Sequence, residues 1–345
     1  MGVKTVGVVF GGPSPEHDVS IMSARSIVEA LQLSGIQTIP VYWAGNLEFA
    51  SPEDSLRRLG PKGTGDEFIA LPPWEQTMAV LQGLKETVQV AFPVLHGPFG
   101  EDGRIQGLLD CLGIPYVGSG VLASALAMDK LLTKQVLEQA GMPTAPFIGF
   151  TTQDWANGED GLRTQIVSLG LPLFVKPSRS GSSIGVSKVS DPDGLDKAID
   201  SAFRYDSRII VEKAIVGREL EVGILHGPQT KTSVVGEIEA FGEFYDFASK
   251  YQDGGAKFHC PARINEEVSN RISDIAMAVF KILDCRGLAR VDFLWETTTN
   301  RLYVNEVNTM PGFTPYSMYP LLWRASGIQY QDLVQHLLAS ALARY

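Results

Sequence analysis

Apolar and polar positions change period several times along this chain of 345 residues, and each change marks an element. Residues 3–10 form an apolar run closed by Gly11-Gly12, and a helical period follows over 19–33. A second run, 36–43, reads as a strand and leads into a weakly patterned, Gly- and Pro-rich stretch over 45–73. A third strand at 88–95 runs through HGPFGEDG into a helix over 104–112. This alternation predicts a small open α/β domain, in which ligands sit at the carboxyl ends of the strands. Glu16 and His96 both fall at such ends.

From Val121 the period is helical through MDK at 128–130, followed by TAPFIGF, a helix near 160–169 and a strand at 173–176. KPSRSGSSIGVSKV then places Gly and Ser between two strands, a hairpin tip able to fold over phosphates, with Lys176 as a fixed positive charge. A strand at 208–212 and another within KAIVGRELEVGIL flank a short apolar connector, where Glu212 and Glu219 could hold a purine and its ribose. FGEFYDFASKYQDGGAKFHCPARI has little periodicity. A loop of that length in a compact protein is usually a lid or a binding loop, with Lys250 and Tyr251 as its polar candidates. An amphipathic helix over 264–283 and helices near 316–325 and 330–343 complete the pattern.

The densest chemistry lies between the long helix and the last two. Residues 290–295 and 301–307 flank a polar TTTN turn, the pattern of a β-hairpin. Arg290 and Asp292 share one face of its first strand, and Glu306 and Asn308 one face of its second. Three oxygen donors beside one guanidinium suit Mg²⁺, and a carboxylate-held magnesium implies a nucleoside triphosphate. Pro311-Gly312 follows directly as a tight turn whose amides can meet an anion, so Arg290 and the Gly312 N–H together would stabilise an oxyanion. Read singly, these features have plainer meanings: a solvated hairpin face, a first-turn acid at Glu16, a turn histidine at His96, a flexible Gly/Ser tip.

Composition narrows the class. With 44% hydrophobic and 20% charged residues the chain is an ordinary soluble globular protein, long enough for two or three domains. A net charge of −10 argues against nucleic acid as a partner. Cys111, Cys260 and Cys285 are widely spaced and suit neither a disulfide framework nor a zinc site, which points to a reducing cytoplasm. The run MGVKTVGVVF is short for a signal peptide, and no span of about 20 apolar residues predicts a membrane helix.

Taken in order, GGPSPEHDVS, HGPFGEDG, MDK, VKPSRSGSSIGVSKV, VEK with GRELEVGIL, YDFASKY, RVDF and NEVNTMPGFTPYSMYP resemble the D-alanine-D-alanine ligases of the ATP-grasp superfamily. The resemblance covers essentially the whole chain. It implies an α/β (α+β) three-domain ATP-grasp fold divided as 1–121, 122–216 and 217–345. It also implies ATP and two magnesium ions, with manganese able to substitute, D-alanine as substrate, a role in peptidoglycan synthesis, and a cytoplasmic homodimer with no nucleic-acid or membrane partner.

By position, the resemblance assigns Lys130, Lys176, Lys213 and Glu219 to the nucleotide, with Glu212 at the adenine-side hinge and Lys250 of the long loop also binding the nucleotide. Asp292, Glu306 and Asn308 match metal ligands. Glu16 and His96 match groups around the first D-alanine, Glu16 taking its ammonium. Arg290, Gly312, Ser317 and Met318 match groups around the second substrate and the transferring carbonyl, and Ser182, Tyr251 and Glu16 a hydrogen-bonded trio across the closed site. Met318 stands where many members have Leu, and Phe247 where Tyr is common; both changes keep volume and predict tuned affinity rather than altered chemistry. Tyr251 favours an amine nucleophile over D-lactate.

Overall fold

The computed structural model describes residues 3–44, 48–60, 74–240 and 256–344. Its first sheet holds β1 (Thr5–Gly11), β2 (Gln37–Trp43) and β3 (Val90–Pro93) in the order β2-β1-β3, all parallel. The central β1 is buried from Val6 onward, as its unbroken apolar run requires. Helix α1 (His17–Leu33) turns Ala24, Ile27 and Leu31 into the core beside it. Helix α2 (Pro52–Leu59) lies within the stretch read as weakly patterned. A cap rather than a period specifies it: Ser51 accepts the Asp54 N–H at 3.2 Å, and Pro52 opens the first turn. Helix α3 (Trp74–Thr87) precedes β3, and α4 (Arg104–Leu112) has the bounds expected of it.

MDK does not lie within a single helix. Helix α5 (Val121–Met128) stops at Asp129, whose extended backbone and capping carboxylate start α6 (Lys130–Gln139) in a new direction. Asp129 accepts the Leu132 N–H at 3.1 Å and pairs with Arg208 at 2.6 Å. That break sets the position of Lys130.

The second sheet is antiparallel, in the order β4-β7-β5-β6, built from β4 (Phe147–Thr151), β5 (Leu173–Pro177), β6 (Ser187–Val189) and β7 (Arg208–Lys213). Helix α7 (Thr152–Ser168) starts well before the expected position because Thr151 and Asp154 form a capping box. Helix α8 (Leu195–Phe203) buries Leu195, Ala198, Ile199 and Ala202 against this sheet.

The third sheet, also antiparallel, runs β10-β9-β8-β11-β12. Its strands are β8 (Arg218–Leu225), β9 (Lys231–Ala240), β10 (Ala256–His259), β11 (Leu288–Glu296) and β12 (Arg301–Asn308). The hairpin read from sequence is β11-β12. Strand β9 went unread, and β10 falls inside the stretch taken as loop. Helix α9 (Glu266–Ile282) covers the back of the sheet with Val268, Ile272, Ala276 and Val279. The chain then returns to the first sheet, where α10 (Met318–Ala325) contributes Tyr319 and Trp323, and α11 (Tyr330–Leu342) contributes Leu333, Leu337 and Leu338, to the core of β1 and α1. Among the described residues no helix is long and apolar enough to cross a membrane.

Candidate active site

Strands β8, β11 and β12 lie side by side, with Asp292 opposite both Glu306 and Glu221, and Arg290 opposite Asn308. One face of three neighbouring strands therefore carries Arg290, Asp292, Glu306 and Asn308, and the Glu219-Glu221 pair besides. Arg290 donates through Nε and Nη2 to the two oxygens of Asp292, at 2.7 Å each, and its Nε lies 3.1 Å from Glu221 Oε2. Burial works against the guanidinium charge, but Asp292 and Glu221 outweigh it and hold Arg290 firmly cationic. Asn308 Nδ2 donates to Asp292 Oδ2 at 3.0 Å.

Among the described residues no group of three or more His, Cys, Asp or Glu gathers as a metal site by itself. Two carboxylates and a carboxamide do share the face, and Mg²⁺ asks for little more, since it keeps waters and takes substrate phosphates as further ligands. The donor set of Asp292, Glu306 and Asn308 fits that ion.

Over this face lies a cavity of about 330 Å³ lined by residues associated with all three sheets. Glu16 and His96 follow strands of the first, Gly181 and Ser182 form the tip between β5 and β6, and Arg290, Asn308 and Gly312 come from the third. Ser182 Oγ donates to Glu16 Oε1 at 2.6 Å. Two glycines make room for that carboxylate: a Cβ at Gly97 would lie 2.5 Å from Glu16 Oε2, and one at Gly181 2.8 Å. Two of the three residues of the expected trio are thus in contact. Tyr251 lies outside the described residues, as do Lys250 and Phe247.

His96 lines the cavity but is 4% exposed, with both ring nitrogens occupied. Nδ1 lies 2.9 Å from the Met310 carbonyl and Nε2 lies 3.2 Å from Ser23 Oγ. Burial lowers its pKa, which leaves the neutral ring donating from Nδ1 to the carbonyl and accepting at Nε2 from the hydroxyl. Ser317 stands just before α10, where its Oγ accepts the Thr314 N–H at 3.1 Å and would lie 3.1 Å from a Cβ on Gly312. Met318 is buried against Leu322 and Ile238 at the cavity wall.

A second cavity, of about 400 Å³, adjoins the first and shares Lys130, Glu219 and Glu306 with it. Lys176, Glu212 and Lys213 also line it. Lys130 Nζ donates to the Ser180 carbonyl at 2.8 Å and lies 3.5 Å from Glu306 Oε2. Glu212, near the end of β7, has its carboxylate between Lys176 Nζ at 2.7 Å and Lys134 Nζ at 2.9 Å. Burial alone would raise the Glu212 carboxyl, yet the two ammonium groups hold it at about 2. Burial likewise opposes the charge on Lys176 and is outweighed by Glu212, whereas for Lys134 burial prevails and its pKa falls.

Three functional neighbours escaped sequence reasoning: Ser23, Glu101 and Lys134. Lys134 is 1% exposed, one turn beyond Lys130 on α6, and the one available signal was a lysine among apolar core positions. Glu101 sits inside HGPFGEDG, where the eye goes to the histidine and the glycines.

Sequence signatures described as D-ala D-ala ligase N-terminus and D-ala D-ala ligase C-terminus match residues 5–119 and 136–339. The chain belongs to the D-alanine-D-alanine ligase family. A D-alanine--D-alanine ligase of Deinococcus radiodurans is 45% identical over 343 residues, spanning 98% of this chain and 98% of that protein. One of Geobacillus thermodenitrificans is 44% identical over 350 residues, spanning 99% of this chain and 96% of its own. Among solved structures, the VanG D-Ala:D-Ser ligase of Enterococcus faecalis superposes with a TM-score of 0.83 at 32% identity, covering 98% of this chain and 99% of that one. The D-alanine-D-alanine ligase of Coxiella burnetii gives 0.82 at 32% identity, covering 100% and 95%. The three sheets are those of the ATP-grasp fold, and with the family comes the use of ATP.

Proposed function

We propose that this chain condenses two D-alanines into D-alanyl-D-alanine at the expense of ATP, through D-alanyl phosphate, releasing ADP and phosphate. The dipeptide then serves peptidoglycan precursor synthesis and, with it, cell wall biogenesis and cell shape. One observation carries the reading: residues associated with three sheets ring a single cavity, with Glu16 and Ser182 on one side and Arg290 and Gly312 on the other, beside a second cavity lined by lysines. The observed division into three sheets also supports domains at 1–121, 122–216 and 217–345.

In this reading the ammonium of the first D-alanine pairs with Glu16, which Ser182 orients. Its carboxylate attacks the γ-phosphorus and ADP leaves, while Lys130 and Lys176 offset the negative charge of the phosphates, with Lys213 and Glu219 on the nucleoside side. Lys176 needs no reorganisation for this, because Glu212 already fixes it. The amine of the second D-alanine, seated by Ser317 and Met318, then attacks the acyl carbon. Arg290 uses Nε and Nη2 for Asp292, leaving Nη1 to face the developing oxyanion together with the Gly312 N–H. Such a donor contributes about 3 kcal/mol in other enzymes. Asp292, Glu306 and Asn308 would hold two magnesium ions, or manganese in their place, and the bound metal supplies further positive charge to the phosphoryl oxygens. Tyr251 and Lys250 belong, in the same proposal, to a loop that shields the acyl phosphate from water. A homodimer in the cytoplasm completes it.

The likeness to a D-Ala:D-Ser ligase supports a second reading of the acceptor, D-serine. The deciding assay measures phosphate release from MgATP with D-alanine, D-serine, D-lactate and L-alanine, singly and paired, with products identified by mass. Release with D-alanine alone, giving the dipeptide, is the expected result. A requirement for a mixed pair would move the chain to a variant ligase, and no release with any of them would end the ligase reading.

A further inference from the structure

The turn that carries the Gly312 amide is not held by its own sheet alone. It is gripped by the loop after β3, which belongs to the first sheet. Glu101 Oε1 accepts the Met310 N–H at 3.0 Å, while Glu101 Oε2 accepts the Gly97 N–H at 2.8 Å. The Met310 carbonyl meets His96 Nδ1 at 2.9 Å, and the Phe313 N–H meets Ser23 Oγ at 3.3 Å. Both backbone groups of Met310 are therefore tied to the same short loop, HGPFGE. Gly97 in turn packs against Glu16, close enough that a Cβ there would lie 2.5 Å from the carboxylate.

We propose that Glu101 is a positioning residue for the second half of the reaction. Its two oxygens bind the backbone beside the first-substrate carboxylate to the turn bearing the oxyanion donor, so that occupation of one sets the other. The proposal rests on the ligase reading given above and adds a positioning role for a residue at the wall of the cavity.

The chemistry of the carboxyl group supports it. Burial and the neighbouring charge of Glu16 push Glu101 up to about 8, while the two amides and Arg290 pull the other way. An ammonium seated at Glu16 offsets that repulsion and favours the carboxylate, the form that accepts from both amides at once. The first substrate thereby tightens the grip on the turn that the second step uses. A neutral amide cannot replace it: the substitution Glu101→Gln would present one oxygen and one NH₂, leaving the N–H of either Gly97 or Met310 facing a donor.

The test compares the two half-reactions in one variant. Wild type, Glu101→Gln and Glu101→Asp are incubated with MgATP, D-alanine and hydroxylamine, and the trapped hydroxamate, which reports acyl phosphate, is measured beside the dipeptide. For Glu101→Gln the hydroxamate should stay within about threefold of wild type while dipeptide formation falls about tenfold to a hundredfold, the cost of misplacing a catalytic group by around an ångström. Glu101→Asp, which keeps the charge on a shorter arm, should lie between. An unchanged ratio of hydroxamate to dipeptide overturns the proposal, including the case where both fall together as in a merely loosened protein. A wild-type enzyme forming neither product is a different outcome, which removes the ligase reading itself.

Discussion

The two halves of the site solve opposite electrostatic problems. On the strands, buried cations are held by projecting carboxylates: Lys134 and Lys176 by Glu212 on β7, Arg290 by Asp292 on β11 and Glu221 on β8. In the amino-acid half, carboxylates are held by loops: Glu16 by the Ser182 hydroxyl, Glu101 by two backbone amides. The first arrangement is complete without ligand, since each buried cation lies against a carboxylate, Lys134 and Lys176 sharing one. The second brings Glu16 and Glu101 close enough to repel; Arg290 offsets this in part, and an arriving ammonium would offset it further. A site preorganised for anions thus adjoins one primed for an ammonium, which is the charge pattern of ATP and an amino acid.

The contrast can be broken most severely at Glu212. Glu212→Gln strands two ammonium groups in a buried place and should lower the unfolding free energy by about 3–5 kcal/mol, read as a shift of the urea midpoint. Adding Lys134→Met should restore more than half of that loss; no restoration would mean that the two lysines are not what Glu212 holds. Next is Arg290→Lys, which keeps the charge but loses the fork that spans Asp292 and an oxyanion together. Its turnover should drop about 10²- to 10³-fold with KM for ATP changed little. Ser182→Ala, on the loop-held side, should reduce kcat/KM for D-alanine about tenfold, the value of one hydrogen bond to a charged group, and leave the fold intact.

The smallest effect tests the repulsion directly through pH. Glu101 has a folded pKa of about 8 against 4.5 when unperturbed, and the ionisable groups facing it are Glu16, His96, held neutral by burial, and Arg290. A carboxyl whose folded pKa is raised contributes its stability fully below the unfolded value and loses it as pH rises through the folded one. Wild type should therefore lose this increment between pH 5 and 8 while Glu101→Gln does not, so the Tm gap between them should shrink over that range by about 2 °C or more. A constant gap would mean that Glu101 is not strained by its neighbours.

Much of the fold was legible because its signals are local. The glycine pair closing β1, the bounds of α4 and the β11-β12 hairpin need only periodicity and turn chemistry. Strand β9 was missed because its VVGEIEA segment alternates only weakly, and α2 because a cap and not an apolar stripe defines it. The break at Asp129 was missed for a different reason. Its capping carboxylate is held in place by Arg208, which is 79 residues away.

The sequence by itself determined which residue types share a face, because a strand repeats every two residues; that is why Arg290, Asp292, Glu306 and Asn308 could be grouped without coordinates. It also carried the family, through motifs spread over nearly the whole chain. The tertiary structure alone decided what each charge is paired with. Strand order put Glu221 beside Arg290, the packing of α6 on β7 put Lys134 against Glu212, and the return of the chain to the first sheet put Met310 between His96 and Glu101. Charges and hydrogen bonds act over a few ångströms of space, whatever the separation along the chain, and so the roles of these side chains are fixed by the fold that brings them together.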